Sequence, residues 1–123
     1  MTKILLAEDD VFLRDIYTEI LEEESFEVTT AEDGKEALQK MKKGGWDLVL
    51  LDVIMPHMTG IDVLKEIKSS GAQNFSKHIL FLSNTDQPKG IEEVIDLTDG
   101  FIIKSDFTPG ELIKKLKELL DNK

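Results

Sequence analysis

Cysteine is absent from this 123-residue chain, which excludes a disulfide framework, a thiolate metal site and a cysteine nucleophile. No apolar stretch approaches the length of a membrane span. The basic start and apolar run of a secretory signal are also missing, because Met1 to Lys3 lead straight into a short strand-like run that stops at Glu8. The sequon at Asn74, Phe75 and Ser76 therefore carries no weight, and a reducing, cytoplasmic setting without a membrane partner is expected. Cations are scarce. Lys and Arg number 15 against 25 Asp and Glu, a formal net charge of -10, which disfavours direct nucleic-acid binding and favours basic partner surfaces or bound cations. With 41% hydrophobic residues, the length suits one compact domain, residues 1–123, that buries a core without covalent staples.

What is present is organised around Asp47 to Gly60, DLVLLDVIMPHMTG. Leu48 to Leu51 are apolar without alternation, the pattern of a central strand covered on both faces, and Asp52 closes it at a rim. Before it, Lys3 to Ala7 form a first strand that ends at Glu8, Asp9 and Asp10. Leu13, Ile16, Tyr17, Ile20 and Leu21 recur at helical spacing to about Glu24. Asp10 suits the cap of that helix. Phe26 to Ala31 alternate as an edge strand does, and a second helix carrying Ala37, Leu38 and Met41 stops at Gly44 and Gly45.

After Asp52, Thr59 is a candidate cap for a third helix with Val63, Leu64 and Ile67 inward and Gly71 as its stop. A polar connection with Gln73, Asn74 and Ser76 leads to a fourth strand at His78 to Leu82. The next helix is weakly signalled, since Asp86, Pro88 and Gly90 delay its start, and it relies on Ile91, Val94, Ile95 and Leu97. Phe101 to Ile103 form the fifth strand, and Thr108 to Glu111 combine a capping box with proline at the first position of the last helix. Five strands alternating with five helices predict an α/β fold, a doubly wound parallel sheet with helices on both faces.

The carboxyl ends of parallel strands share one edge, so Glu8 and Asp9, Asp52, Ser83 and Lys104 are expected to converge. Two unit charges ~5 Å apart repel by roughly 3 kcal/mol at an effective dielectric near 20, so clustered carboxylates favour a cation. Lys104 offers one charge and a metal would offer two. Oxygen-only ligands point to a hard ion such as Mg²⁺, which is bound through one or two carboxylates with waters and phosphate oxygens. An aspartate there can attack phosphorus and form an aspartyl phosphate. A lone strand-end aspartate can equally serve its own turn, Phe101 can be plain core, His57 an exposed loop residue and His78 structural.

KILLAEDD, LVLLDVIMPHMTG, ILFLSN and FIIK, in this order and each at a strand end, resemble the signature blocks of response-regulator receiver domains. The resemblance covers nearly the whole chain and supplies the flavodoxin-like strand order 2-1-3-4-5. It implies that Asp52 accepts a phosphoryl group from a sensor histidine kinase or a histidine phosphotransfer protein. Asp9, Asp52 and the backbone carbonyl of Ile54 would then ligate Mg²⁺, with Glu8 holding it through water. Ser83 and Lys104 would bind phosphoryl oxygens, Phe101 would follow Ser83 as a switch, and the output surface would be the fourth helix, fifth strand and last helix. Such a protein is a signalling phosphoacceptor rather than a turnover enzyme.

Ser105, Asn84 and the stretch Thr98 to Gly100 depart from the family pattern, and Ile54 and Thr85 occupy flanking positions that influence dephosphorylation in the family. Ser105 follows Lys104 where a proline is usual, which predicts either a trans bond with a rearranged loop or a cis bond held by the site. Asn84 replaces a smaller residue, Thr98, Asp99 and Gly100 lack the usual glycine-alanine pair, and Ile54 offers no polar group to orient water, which predicts slow self-hydrolysis. The alternative function is a receiver-like docking scaffold that works without phosphorylation. An aspartyl-phosphate phosphatase fits less well, because Ile54 stands where a second carboxylate would act, and a flavodoxin-like cofactor binder would be repelled by Glu8, Asp9 and Asp10.

Overall fold

A computed structural model of the protein describes residues 1–71 and 75–121. Gln73 and Asn74 of the polar connection, the latter also the first residue of the discounted sequon, lie outside them. In chain order the elements are β1 (Lys3–Ala7), α1 (Val11–Glu23), β2 (Glu27–Ala31), α2 (Gly34–Lys43), β3 (Trp46–Asp52), α3 (Gly60–Ser70), β4 (Ser76–Ser83), β5 (Phe101–Ile103) and α4 (Pro109–Asp121). All strand pairs are parallel, in the order β2-β1-β3-β4-β5. This is the doubly wound, flavodoxin-like arrangement, with β2 at the edge as its alternation requires.

Each central strand is buried on both sides. Ile4, Leu6, Leu48, Leu50, Leu80 and Leu82 pack with Leu21 of α1 and with Leu112 and Leu116 of α4. Their strand neighbours Leu5, Val49, Leu51 and Phe81 pack with Met41 of α2 and Leu64 of α3 on the opposite face. The period-two alternation of the strands thus feeds two helical layers. Local capping agrees with the layers. Asp10 accepts from the amides of Phe12 and Leu13 at 2.9 and 3.2 Å, Thr59 and Asp62 form a capping box at α3, and Thr108 and Glu111 form another at α4.

The fourth helix expected around Ile91 to Leu97 is not formed. Two separate 3₁₀ turns, Ile91–Glu93 and Ile95–Leu97, stand in its place, leaving four α-helices among the described residues. The segment starts at Gly90 in the left-handed region (φ 83°) without a side-chain cap. Val94 leaves helical geometry between the turns (φ -128°), and the β-branched Ile91, Val94 and Ile95 give little intrinsic helical support. Thr98 Oγ1 then donates to the Ile95 carbonyl at 2.8 Å and accepts from the Gly100 amide at 3.1 Å, closing the segment early. Lys65 of α3 pairs with Glu93 and fastens the first turn to its neighbour.

One close approach fixes the rim where β3 ends. A Cβ on Gly60 would lie 2.3 Å from the Asp52 carbonyl oxygen, while the Gly60 amide donates to the Val53 carbonyl at 2.8 Å. Gly60→Ala is therefore expected to lower unfolding stability by about 1–3 kcal/mol, because backbone rather than a flexible side chain must give way. Urea denaturation of the two chains measures this difference.

Candidate functional site

The strand ends bring together residues far apart in the chain. β1 delivers Glu8 and Asp9, β3 delivers Asp52, and the turn after β5 delivers Lys104. One carboxylate oxygen from each of Glu8, Asp9 and Asp52 lies within 4.8 Å of the others. Glu8 and Asp52 are buried and Asp9 is exposed. Lys104 Nζ donates to Glu8 Oε1 at 2.7 Å and to Asp52 Oδ2 at 2.9 Å, with only 10% of its side chain exposed. Lys104 therefore reaches the site although Ser105 follows it. The bond between them is trans, and Lys104–Asp106 form a short 3₁₀ turn, the rearranged loop of the two expected outcomes.

One ammonium does not satisfy this cluster. Glu8 Oε2 and Asp52 Oδ1 are buried without a hydrogen-bond partner, and an unsatisfied buried polar atom typically costs about 1–3 kcal/mol, more when charged. The oxygen-only donor set and the two orphaned oxygens fit a hard divalent cation of the Mg²⁺ type.

The electrostatics follow from burial. Desolvation, reinforced by the neighbouring Glu8, pushes the Asp52 carboxyl up from 3.8 to about 8, and Lys104 only partly offsets this. Burial also acts to raise Glu8, but the neighbouring Asp52 carboxyl and the Lys104 ammonium outweigh that and hold it below its ordinary value. For Lys104, burial works against the charge while its contacts to Glu8 and Asp52 raise it, so the ammonium is retained.

The remaining expected residues are arranged less directly. The buried Ser83 hydroxyl donates to the Thr85 carbonyl at 2.6 Å and accepts from the Thr85 amide at 3.1 Å. It is thus bonded within its own loop rather than to Asp52 or Lys104. The Ile54 side chain is 61% exposed beside the site. Phe101 is half-buried against the core layer under α2 and α3. His57 is exposed at φ 70°, and His78 Nδ1 lies 3.3 Å from Asp99 Oδ2, which also accepts from the Ile79 amide at 3.0 Å. His78 is structural, as expected.

Sequence reasoning missed Arg14. Its Nη1 donates to the Glu8 carbonyl at 3.0 Å and its Nη2 lies 3.7 Å from Glu32 Oε1. The available signal was a lone cation in the otherwise acidic first helix.

The raised Asp52 value makes stability depend on pH. Without metal the folded chain keeps this proton while the unfolded chain releases it near 3.8, so the contribution is fully present below about pH 4 and is lost as pH rises towards 8. Glu8, held low, contributes in the opposite sense as pH rises through its ordinary value. In a chelator, Asp52→Asn is expected to stabilise the chain by about 1–3 kcal/mol at pH 8, with the gap narrowing towards pH 5. Thermal or urea unfolding at both pH values provides the check.

The chain matches the family model described as response regulator receiver domain over residues 4–117. It is 37% identical over 122 residues to the transcriptional regulatory protein CpxR homolog of Haemophilus influenzae, covering 98% of this chain and 51% of that protein. It is 35% identical over 103 residues to the chemotaxis protein CheY of Halobacterium salinarum, covering 83% of each. The chain spans about half the length of most of the curated relatives it matches, including ResD of Bacillus subtilis at 48%. Among solved structures, the response regulator TrrA of Thermotoga maritima in complex with Mg²⁺-BeF superimposes with a TM-score of 0.81 at 34% identity, covering 97% of this chain and 99% of that one. Chemotaxis response regulator CheY4 of Vibrio cholerae gives 0.81 at 33% identity, covering 96% and 98%. With this sheet order and this acidic rim, the chain belongs to the response regulator receiver domains of two-component signalling.

Proposed function

We propose that residues 1–123 form a cytoplasmic phosphoacceptor module in which Asp52 takes a phosphoryl group from a phosphohistidine on a sensor histidine kinase or a histidine phosphotransfer protein. The observation that carries this reading is the convergence of three carboxylates within 4.8 Å on a buried ammonium, with two buried carboxylate oxygens left unpartnered. Asp9, Asp52 and the Ile54 carbonyl are the groups to hold Mg²⁺, and Glu8 would hold it through water. When bound, the ion supplies positive charge that favours ionised Asp52 and balances phosphoryl oxygens.

The chain's own groups do the rest. An Asp52 carboxylate oxygen attacks phosphorus, the new O–P bond forms as the P–N bond breaks, and the electron pair returns to the imidazole nitrogen of the donor. Lys104, already on Asp52, stays paired with the phosphoryl charge. Ser83 exchanges its Thr85 carbonyl for a phosphoryl oxygen, and Phe101 is the neighbouring aromatic that follows. Modification then biases two arrangements that already exist. A downstream protein would read the surface made by the two 3₁₀ turns, β5 and α4, the counterpart here of a helical output face. No helix among the described residues is long and apolar enough to cross a membrane.

Incubation with acetyl phosphate and Mg²⁺ is expected to add one phosphoryl mass to the chain and none to Asp52→Asn, as read by intact mass spectrometry. A chain that stays unmodified under these conditions is a docking scaffold instead. Because the Ile54 side chain offers no polar group, the aspartyl phosphate is expected to persist for minutes or longer in Mg²⁺. Loss within seconds, followed by the same mass measurement, contradicts that expectation.

A further inference from the structure

We infer that Arg14 is a positioning residue for the acidic pair after β1: its guanidinium fixes the peptide joining Glu8 to Asp9 and thereby sets where the Asp9 carboxylate stands. The inference rests on the reading of this rim as a divalent-cation site. Among the described residues no hydrogen bond or ion pair holds the Asp9 carboxylate, so its position is inherited from its backbone. That backbone is held at two points. The Glu8 amide donates to the Ala31 carbonyl at 3.1 Å, and the Glu8 carbonyl accepts from Arg14 Nη1 at 3.0 Å.

The peptide unit is planar, so fixing the Glu8 oxygen fixes the direction in which the chain enters Asp9. Arg14 is itself well anchored for this purpose. Its amide donates to the Asp10 carbonyl at 2.8 Å in the first turn of α1, its side chain is only 13% exposed, and Glu32 on the loop after β2 sits 3.7 Å from Nη2. A guanidinium with several donors in a fixed plane can serve the carbonyl and the carboxylate together, which a single hydrated ammonium does less well. The same contact places a positive charge behind the acidic pair without occupying any of its carboxylate oxygens.

The test is a calorimetric Mg²⁺ titration of the chain and of Arg14→Met, which keeps an apolar stem and removes the donors, and Arg14→Lys, which restores a cationic donor. Urea unfolding without Mg²⁺ is followed in parallel. Partners that orient metal ligands typically carry a 10- to 100-fold effect, so Arg14→Met is expected to weaken Mg²⁺ binding about tenfold, with Arg14→Lys recovering to within about threefold. The unfolding midpoints of the two variants are expected to agree, since a stability defect alone would not sort them by donor. Mg²⁺ affinity of Arg14→Met within about twofold of the unaltered chain overturns the inference alone. Failure of Arg14→Met to fold, or equal weakening in both variants with a shared loss of stability, makes Arg14 a structural residue and also overturns it. Absence of Mg²⁺ binding by the unaltered chain overturns the cation-site reading and the inference with it.

Discussion

The bridge from Lys104 to Glu8 and Asp52 is the interaction on which the rim depends. It joins β5 to β1 and β3 across the carboxyl edge of the sheet, at 2.7 and 2.9 Å. A buried ammonium is tolerated only because carboxylates receive it, and buried carboxylates only because a cation meets them. The balance is incomplete by construction. Without metal the proton kept on Asp52 relieves the buried layer of one negative charge, while the unpartnered Glu8 Oε2 and Asp52 Oδ1 and the nearby Asp9 carboxylate leave the rim able to take a cation in its place. A receiver-domain rim of this kind is stable enough to form while staying electrostatically unsatisfied.

Much of this rim is legible in the amino-acid sequence. The apolar run of Leu48 to Leu51 marked the covered central strand, and strand-end placement gathered Glu8, Asp9, Asp52 and Lys104, because parallel topology sends every carboxyl end to one side. Asp10, Thr59 and Thr108 were readable as caps because capping is a local event over three or four residues. The strand order came from family resemblance, since spacing alone does not choose among parallel orders. Arg14 escaped notice because its role depends on where a carbonyl six residues earlier points, which helical periodicity does not encode. The sequence signals the helix after β4 only weakly, with a delayed start. Its division into two 3₁₀ turns turned on Val94 leaving helical dihedrals and on the Thr98 side chain bonding backwards, features that hydrophobic spacing does not carry.

The departures from the family pattern have distinct structural outcomes. Ser105 is accommodated by a trans bond and a tight turn that still aims Lys104 inward. Asn84 lies between Ser83 and Thr85, whose reciprocal hydrogen bonds close the loop on itself. The Ser83 hydroxyl at the end of β4 is therefore engaged within its own loop in this arrangement. Its single donor proton is given to the Thr85 carbonyl, so donating to any other oxygen requires giving up that bond, while the Thr85 amide can remain where it is.

The two flanks of Asp52 are built unequally. On one, Gly60 sits so close to the Asp52 carbonyl that not even a methyl group fits between the strand end and the start of α3, and the Val53 carbonyl is already taken by the Gly60 amide. On the other, the chain after Ser83 is held by short turns with few repeating backbone bonds. The carboxylate thus has close-packed backbone on the α3 side and short, irregular turns on the β4 side. An added methyl group on the α3 flank must displace backbone, whereas the β4 flank carries only short turns that a change of conformation would have to break.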